Sequence, residues 1–204
     1  GLVDMVVCNN IICIALGNLH ILRLNLLQPG NLTTIPVTQH QQNEQIHKIF
    51  MDPSGTHVII SMSTANNWYL HGTWKKKLYY LKDMKGIIVE SVAWDKKSAD
   101  IETTKQILIG AANGTIFETC IEIPQAQIAK CKQKIFRPVY NIGDDMKITG
   151  LAFERFPPTP GQPTKFLVMA TTATRFYQFI GGPNFLSVFE NTSIGFREFL
   201  GDRK

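Results

Sequence analysis

Short apolar runs separated by small polar turns recur along the chain, and most show the alternation of a β-strand. The clearest stretch, QILIGAANGTIFET at residues 106–119, is typical of two strands joined by a turn of small residues. Residues 46–63, IHKIFMDPSGTHVIISMS, predict another hairpin, because Asp52, Pro53 and Gly55 suit a type I turn. The pattern therefore predicts an all-β protein.

The runs fall into units that share one order of features. An apolar strand ends in an aromatic residue, a loop of variable length follows, and an aliphatic strand and a small-residue turn lead to an apolar–aromatic pair. The strand-ending aromatics are Phe50, Trp94 and Phe153, and the pairs are Trp68–Tyr69, Ile116–Phe117 and Phe176–Tyr177. Residues 4–26 form a more degenerate first unit. Repeats of about 40 to 50 residues with several strands each are typical of β-propeller blades.

We therefore predict a β-propeller of WD-repeat-like blades, each of four antiparallel strands, as one domain or part of one over residues 1–204. The approximate blades are 1–45, 46–89, 90–147 and 148–204. At about 40 to 45 residues per blade, the chain holds four to five blades of an incomplete ring. Gly110, Ala111 and Ala112 are expected where packing around the axis leaves little room. A two-sheet β-sandwich is the alternative, because its turns are spaced similarly.

Composition indicates a folded chain with a small positive charge. Hydrophobic residues make up 44% of the 204 residues and charged residues 18%, with a formal net charge of +5. The only dense basic run is Lys75, Lys76 and Lys77, with Lys82 and Lys85 nearby; such runs are usually solvated hairpin ends. No stretch approaches the ~20 apolar residues that span a bilayer. The four cysteines show no C-x-x-C spacing, and Cys8, Cys13 and Cys120 lie in apolar runs where a free thiol behaves as a small hydrophobe, which favours the reducing cytosol.

The sequence lacks the usual motifs of catalysis and of metal or cofactor binding. The only adjacent carboxylates, Asp144 and Asp145, lie in a turn-like segment, and the five histidines show no ligand spacing. We therefore expect no enzyme activity, cofactor, metal or small-molecule substrate. A hydrolytic propeller and a nucleic-acid-binding propeller are the alternatives. The first lacks carboxylates and histidines on VIISMS, ILIGAA and LVMATT, and the second lacks aromatics interleaved with Lys and Arg.

Six segments carry a resemblance to a known family: IHKIFMDPSGTHVIISMST, VESVAWD, ILIGAANGTIFE, IFRPVYNI, TTATRFYQFIGGP and FREF. In this order they resemble the amino-terminal β-propeller of the vacuolar protein sorting-associated protein 18 family, the deep orange type. In that family the propeller precedes an α-solenoid and a RING-type zinc module. Neither the helical repeats nor the RING cysteine–histidine spacing occurs here, so zinc binding and ligase-like activity do not carry over.

The resemblance implies a non-catalytic, protein-binding scaffold in HOPS- or CORVET-type complexes, which tether endosomes, lysosomes or vacuoles before fusion. A generic propeller scaffold of another complex is the alternative. Expected partners are other tethering-complex subunits, with at most weak or indirect peripheral membrane contact and no nucleic acid. The expected location is cytoplasmic, peripheral on late endosome, lysosome or vacuole membranes. Two loops, one basic and one Pro-rich, are the expected contacts with partners or lipid: Lys75, Lys76, Lys77, Pro157, Pro158 and Pro160.

Overall fold

Within the residues that the structure describes, four antiparallel β-sheets of four strands each make up nearly all the regular structure. The computed structural model describes residues 1–98, 100–124, 130–143, 145–190, 195 and 197–200. In each sheet, strands that follow one another along the chain are neighbours, so every sheet is a meander. The prediction of an all-β protein with four-stranded blades is confirmed.

The strands of each sheet are consecutive along the chain. The first sheet contains β1 (Leu2–Cys8), β2 (Ile11–Leu16), β3 (His20–Asn25) and β4 (Thr33–Pro36). The second contains β5 (Ile46–Met51), β6 (His57–Met62), β7 (Asn67–His71) and β8 (Tyr79–Tyr80), followed by the 3₁₀ turn η1 (Lys82–Met84). The third contains β9 (Val89–Ala93), β10 (Thr103–Ala111), β11 (Thr115–Glu122) and β12 (Lys132–Asn141). The fourth contains β13 (Gly150–Phe156), β14 (Lys165–Thr171), β15 (Arg175–Gly181) and β16 (Arg197–Leu200), with a short helix α1 (Phe185–Glu190) before β16.

The chain divides into two compact units. The first comprises Gly1–Val89, Lys96–Lys105 and Ile121–Lys134, and the second comprises Glu90–Asp95, Gln106–Cys120 and Ile135–Lys204. The first unit therefore contains the first two sheets, and the second contains the fourth. The residues of the third sheet are divided between them.

The turn between β5 and β6 is the one that the sequence predicts. Gly55 N donates to Asp52 O at 3.0 Å, and Gly55 has a φ of +77° that favours glycine. The Asp52 carboxylate also accepts hydrogen bonds from the backbone N–H groups of Ser54, Thr56 and His57, at 2.7 to 3.1 Å. One carboxylate thus satisfies three donors and fixes the hairpin.

In the first unit, polar bonds join the first two sheets. The Asp4 side chain on β1 accepts a hydrogen bond from Ile49 N on β5 at 2.9 Å. The Arg23 guanidinium on β3 donates to Gly55 O and Gly72 O, both at 3.0 Å. Every residue of β6 and β7 is buried, so the middle strands of the second sheet are covered on both faces.

The second unit has a core rich in aromatic rings. Phe153 packs against Phe166 and Phe185, with ring centroids 6.2 and 4.8 Å away. Helix α1 contributes Phe185 and Phe189 to this core, and the side chain of Asn184 caps the first turn by accepting a hydrogen bond from Ser187 N at 3.0 Å. The sequence analysis did not predict this helix, because six residues are too few to show a helical period.

Close packing in the second unit leaves no space for a side chain at Gly110. A Cβ built there would lie 2.7 Å from Ile148 Cγ2 and closer still to Ser91 Oγ. The Ser91 hydroxyl cannot easily move, since it donates to Ile148 O at 2.6 Å. Neighbouring Ala111 is buried and Ala112 is half-buried. The close packing expected at Gly110 is therefore present.

We predict that Gly110→Ala lowers the free energy of unfolding by about 1 to 3 kcal/mol, because the added methyl overpacks the contact with Ile148. Urea unfolding followed by tryptophan fluorescence measures the change. Gly30→Ala is the matched control, since Gly30 has no heavy atom within 4 Å of an added Cβ. Equal stability of the two variants would show that Ser91 and Ile148 do not constrain position 110.

Candidate functional site

The three-lysine run lies in the loop between β7 and β8, in the first unit. The side chains of Lys75, Lys76 and Lys77 are exposed. In the part of the chain that the structure describes, strand β8 pairs with β7 alone, so it is the edge strand of the second sheet. The predicted basic loop therefore lies at a sheet edge, where its charges face solvent.

A buried tryptophan anchors this loop. Trp74 directly precedes the lysines and is 7% exposed, and its backbone N–H donates to His71 O at 2.9 Å. Its ring lies 5.6 Å from the ring of Tyr69 and 5.7 Å from that of His71, measured between centroids. The base of the loop is therefore fixed against the sheet, while the lysines extend outward.

The chain that follows β8 is anchored in the same way. Leu81 and Met84 are fully buried, whereas Lys82 and Lys85 are exposed. The Asn67 side-chain amide donates to Met84 O and to the carbonyl of residue 87, both at 2.8 Å. Residues 75–85 contain five lysines and one aspartate, a local charge of +4 within a chain of net charge +5.

Two buried histidines lie beneath the loop. His57 is 1% exposed and His71 is fully buried, and the two residues face each other across β6 and β7. His57 Nε2 lies 2.7 Å from Asp100 O, and His71 Nε2 lies 2.8 Å from Ile101 O. A carbonyl only accepts, so Nε2 of each ring carries the hydrogen. The pair thus holds the backbone at residues 100 and 101 against the second sheet.

The second nitrogen of each ring is also bonded. His57 Nδ1 accepts from Tyr69 Oη at 2.6 Å, and His71 Nδ1 accepts from Thr73 Oγ1 at 2.7 Å. Burial lowers the pKa of His71, although its bond to Ile101 O acts in the opposite direction. The sequence analysis missed this cluster. The contacts depend on strand register, which a single sequence does not show.

Glu44 is a further buried charge, and its contacts indicate a structural role. Its carboxylate accepts from His40 N at 2.7 Å, from the Asn66 amide at 2.8 Å and from the Thr64 hydroxyl. Burial raises the pKa of Glu44, but these donors outweigh burial and the pKa lies below its ordinary value. They account for both carboxylate oxygens, which leaves no free group for chemistry on a substrate.

The Pro-rich loop joins β13 to β14 in the second unit. Pro157, Pro158 and Pro160 are exposed. The backbones of Thr159 and Gln162 exchange two hydrogen bonds, at 2.9 and 3.1 Å, around a turn at Pro160 and Gly161. Gly161 has a φ of +79°, as the third residue of a type II turn requires. The loop therefore presents an ordered turn, and it belongs to a different unit from the lysine loop.

The described residues offer little for metal or membrane binding. Within them, no three His, Cys, Asp or Glu side chains lie close enough together to hold a metal ion. No helix in the same residues has the length and apolar character needed to cross a bilayer. All four cysteines are free thiols, and burial raises the pKa of Cys13 to about 11 and of Cys131 to about 12. Asp144, of the carboxylate pair, lies outside the described residues.

Comparison with known proteins gives a consistent result. The model of the Pep3/Vps18/deep orange β-propeller domain matches residues 1–202. A zebrafish (Danio rerio) vacuolar protein sorting-associated protein 18 homolog is 31% identical over 179 residues, which are 86% of this chain and 18% of the relative. An Arabidopsis thaliana vacuolar sorting protein 18 is 27% identical over 180 residues, 85% of this chain and 18% of the relative. The chain thus spans less than a fifth of the length of these relatives.

A solved structure supports the fold independently. The β-propeller domain of Myceliophteria thermophila Cps50 (Swd1) superposes with a TM-score of 0.53 at 10% identity. The match covers 90% of this chain and 53% of that propeller. At this identity the likeness concerns the fold alone.

The buried His71 predicts a pH dependence of stability. The pKa of His71 is lower in the folded chain than in the unfolded chain. As the pH falls below about 6.5, His71 is therefore protonated in the unfolded chain before it is protonated in the folded chain, and the free energy of unfolding decreases. We predict that His71→Gln, which keeps a donor for Ile101 O, makes this decrease shallower. Urea unfolding at several pH values between neutral and mildly acidic measures it, with His20→Gln as control. An unchanged pH dependence in His71→Gln would contradict the prediction that His71 contributes to the loss of stability at acidic pH.

Proposed function

The chain belongs to the Pep3/Vps18/deep orange β-propeller family, and from this we propose that it is a protein-binding propeller of a HOPS- or CORVET-type tethering complex. The observation that carries the proposal is the family match over residues 1–202, almost the whole chain. The full-length protein then acts in transport from endosomes to the vacuole or lysosome, and in the membrane fusion that completes it.

The architecture suits a non-catalytic scaffold. Fully buried middle strands such as β6 and β7 form a rigid support, and exposed loops at the strand ends supply contacts. The lysine loop and the Pro-rich loop are two such contacts, each held by its own anchor. The sequence lacks known catalytic motifs, which favours binding over chemistry as the role of this scaffold.

The partners in this proposal are other subunits of the tethering complex, and the location is cytoplasmic, on the surface of late endosomes, lysosomes or vacuoles. Any direct membrane contact is peripheral and weak. An exposed lysine near an anionic leaflet contributes only about 1 kcal/mol. Stable recruitment therefore depends on protein contacts. This chain spans less than a fifth of the length of the relatives it matches. In the proposed function the propeller therefore binds partner subunits, and the full-length protein assembles into the complex.

The test uses the full-length protein at its natural level in its own cells. We expect a tagged copy to co-purify stoichiometrically with other tethering subunits, because docking to them is the proposed role. We also expect loss of the gene to delay delivery of a fluorescent endocytic cargo to the vacuole or lysosome, with rescue by wild type and by the Gly30→Ala control. Normal cargo delivery without the protein, together with purification as a lone subunit, would overturn the proposal.

A further inference from the structure

Some basic side chains in the described residues are neutralised by ion pairs, whereas the lysines of residues 75–85 are not. Six of them lie 2.7 to 3.8 Å from a carboxylate oxygen: Lys105, Lys134, Arg137, Lys147, Arg155 and Arg175. In residues 75–85, all of which the structure describes, no lysine has a carboxylate partner among the described residues. The positive charge of this segment is therefore available to an external anion.

The free lysines lie on both sides of an edge strand. Lys75, Lys76 and Lys77 precede β8, and Lys82 and Lys85 follow it. Among the described residues, strand β8 has a neighbour on one side only, so its other edge can pair with an added strand. An extended chain placed along β8 would meet lysines at both of its ends. We call residues 75–85 the basic edge.

The side chains between the lysines argue against insertion into a bilayer. Leu81 and Met84 are buried in the first unit, and Leu78, Tyr79 and Tyr80 are only partly exposed. Surfaces that bind membranes usually add exposed apolar side chains that enter the acyl region. The basic edge exposes no large hydrophobic side chain. Its available contacts are therefore its lysine charges and the backbone groups of β8.

We propose that the basic edge is a docking surface for an acidic protein segment that binds in extended conformation along β8. Carboxylates of the segment pair with the lysines at either end, and its backbone pairs with the free edge of β8. Positive and negative surfaces that face each other in this way speed association and select partners. The inference deepens the proposed scaffold function by defining a surface and the chemistry of its partner.

A binding experiment with the full-length protein tests this without depending on the tethering role. The probe is a fluorescein-labelled peptide of alternating Glu and Thr, with an alternating Gln–Thr peptide as the neutral control. We expect fluorescence anisotropy to show binding of the acidic peptide alone, weakened by salt. Changing Lys75, Lys76 and Lys77 together to Glu should lower its affinity roughly tenfold or more, because three charge pairs become repulsions.

Matched variants distinguish binding at the basic edge from a general effect of the protein's net charge. Lys96→Glu, Lys132→Glu and Lys165→Glu change three exposed lysines outside the basic edge and alter the net charge equally, so we expect less than about a twofold loss. Lys82→Glu with Lys85→Glu should weaken binding from the other end of β8. If charge reversal lowers the unfolding temperature, the corresponding Lys→Gln variants replace them.

Three results would overturn the proposal. One is an equal loss of affinity in the control variant, and another is no binding of the acidic peptide. The third is binding to phosphatidylcholine vesicles containing phosphatidylserine but not to the peptide, which would assign the basic edge to a membrane. Co-purification and cargo delivery test the proposed function separately, so a failure of peptide binding does not contradict it.

Discussion

The second sheet depends on burying its two middle strands on both faces. All six residues of β6 and all five of β7 are buried, so neither strand has a solvent face on which to place a polar residue. A buried polar group without a partner costs free energy, and several that occur here are bonded, whereas the indole N–H groups of Trp68 and Trp74 are buried without a partner among the described residues. His57 and His71 each bind a backbone carbonyl, and Glu118 accepts two hydrogen bonds from Arg137, at 2.8 and 2.9 Å.

Because the middle strands are buried, charged residues and prolines are accommodated at the sheet edges and in the loops. A lysine within β6 would be buried without a partner, whereas a lysine after Trp74 extends into water from an anchored backbone. The Pro-rich loop follows the same rule, since its prolines cannot donate to a ladder but suit an exposed turn. Function in this fold is therefore expected at the ends and edges of strands.

The sequence could predict those features of the fold that are local. The Asp52–Gly55 turn depends on four consecutive residues, and the blade order depends on aromatics that recur within each repeat, so both were predictable. The His57–His71 pair, the Asp4–Ile49 bond and the packing of Ile148 on Gly110 join residues 14 to 45 positions apart. Such contacts depend on register and on the packing of sheets, which one sequence does not determine. The short helix α1 was missed because its six residues show too little periodicity.

For the candidate site too, the sequence predicted what depends on neighbouring residues and missed what depends on contacts between distant ones. The run at Lys75–Lys77 was recognisable as exposed, since consecutive lysines are rarely buried. Only the structure shows that, within the described residues, these lysines have no carboxylate partner and lie beside an unpaired strand edge. Trp74, Leu81 and Met84 hold the backbone on either side of β8, so a partner that binds there orders few main-chain residues. Preorganisation of this kind reduces the entropy cost of association. An anchored basic edge therefore loses less conformational entropy on binding than a flexible basic tail of equal charge.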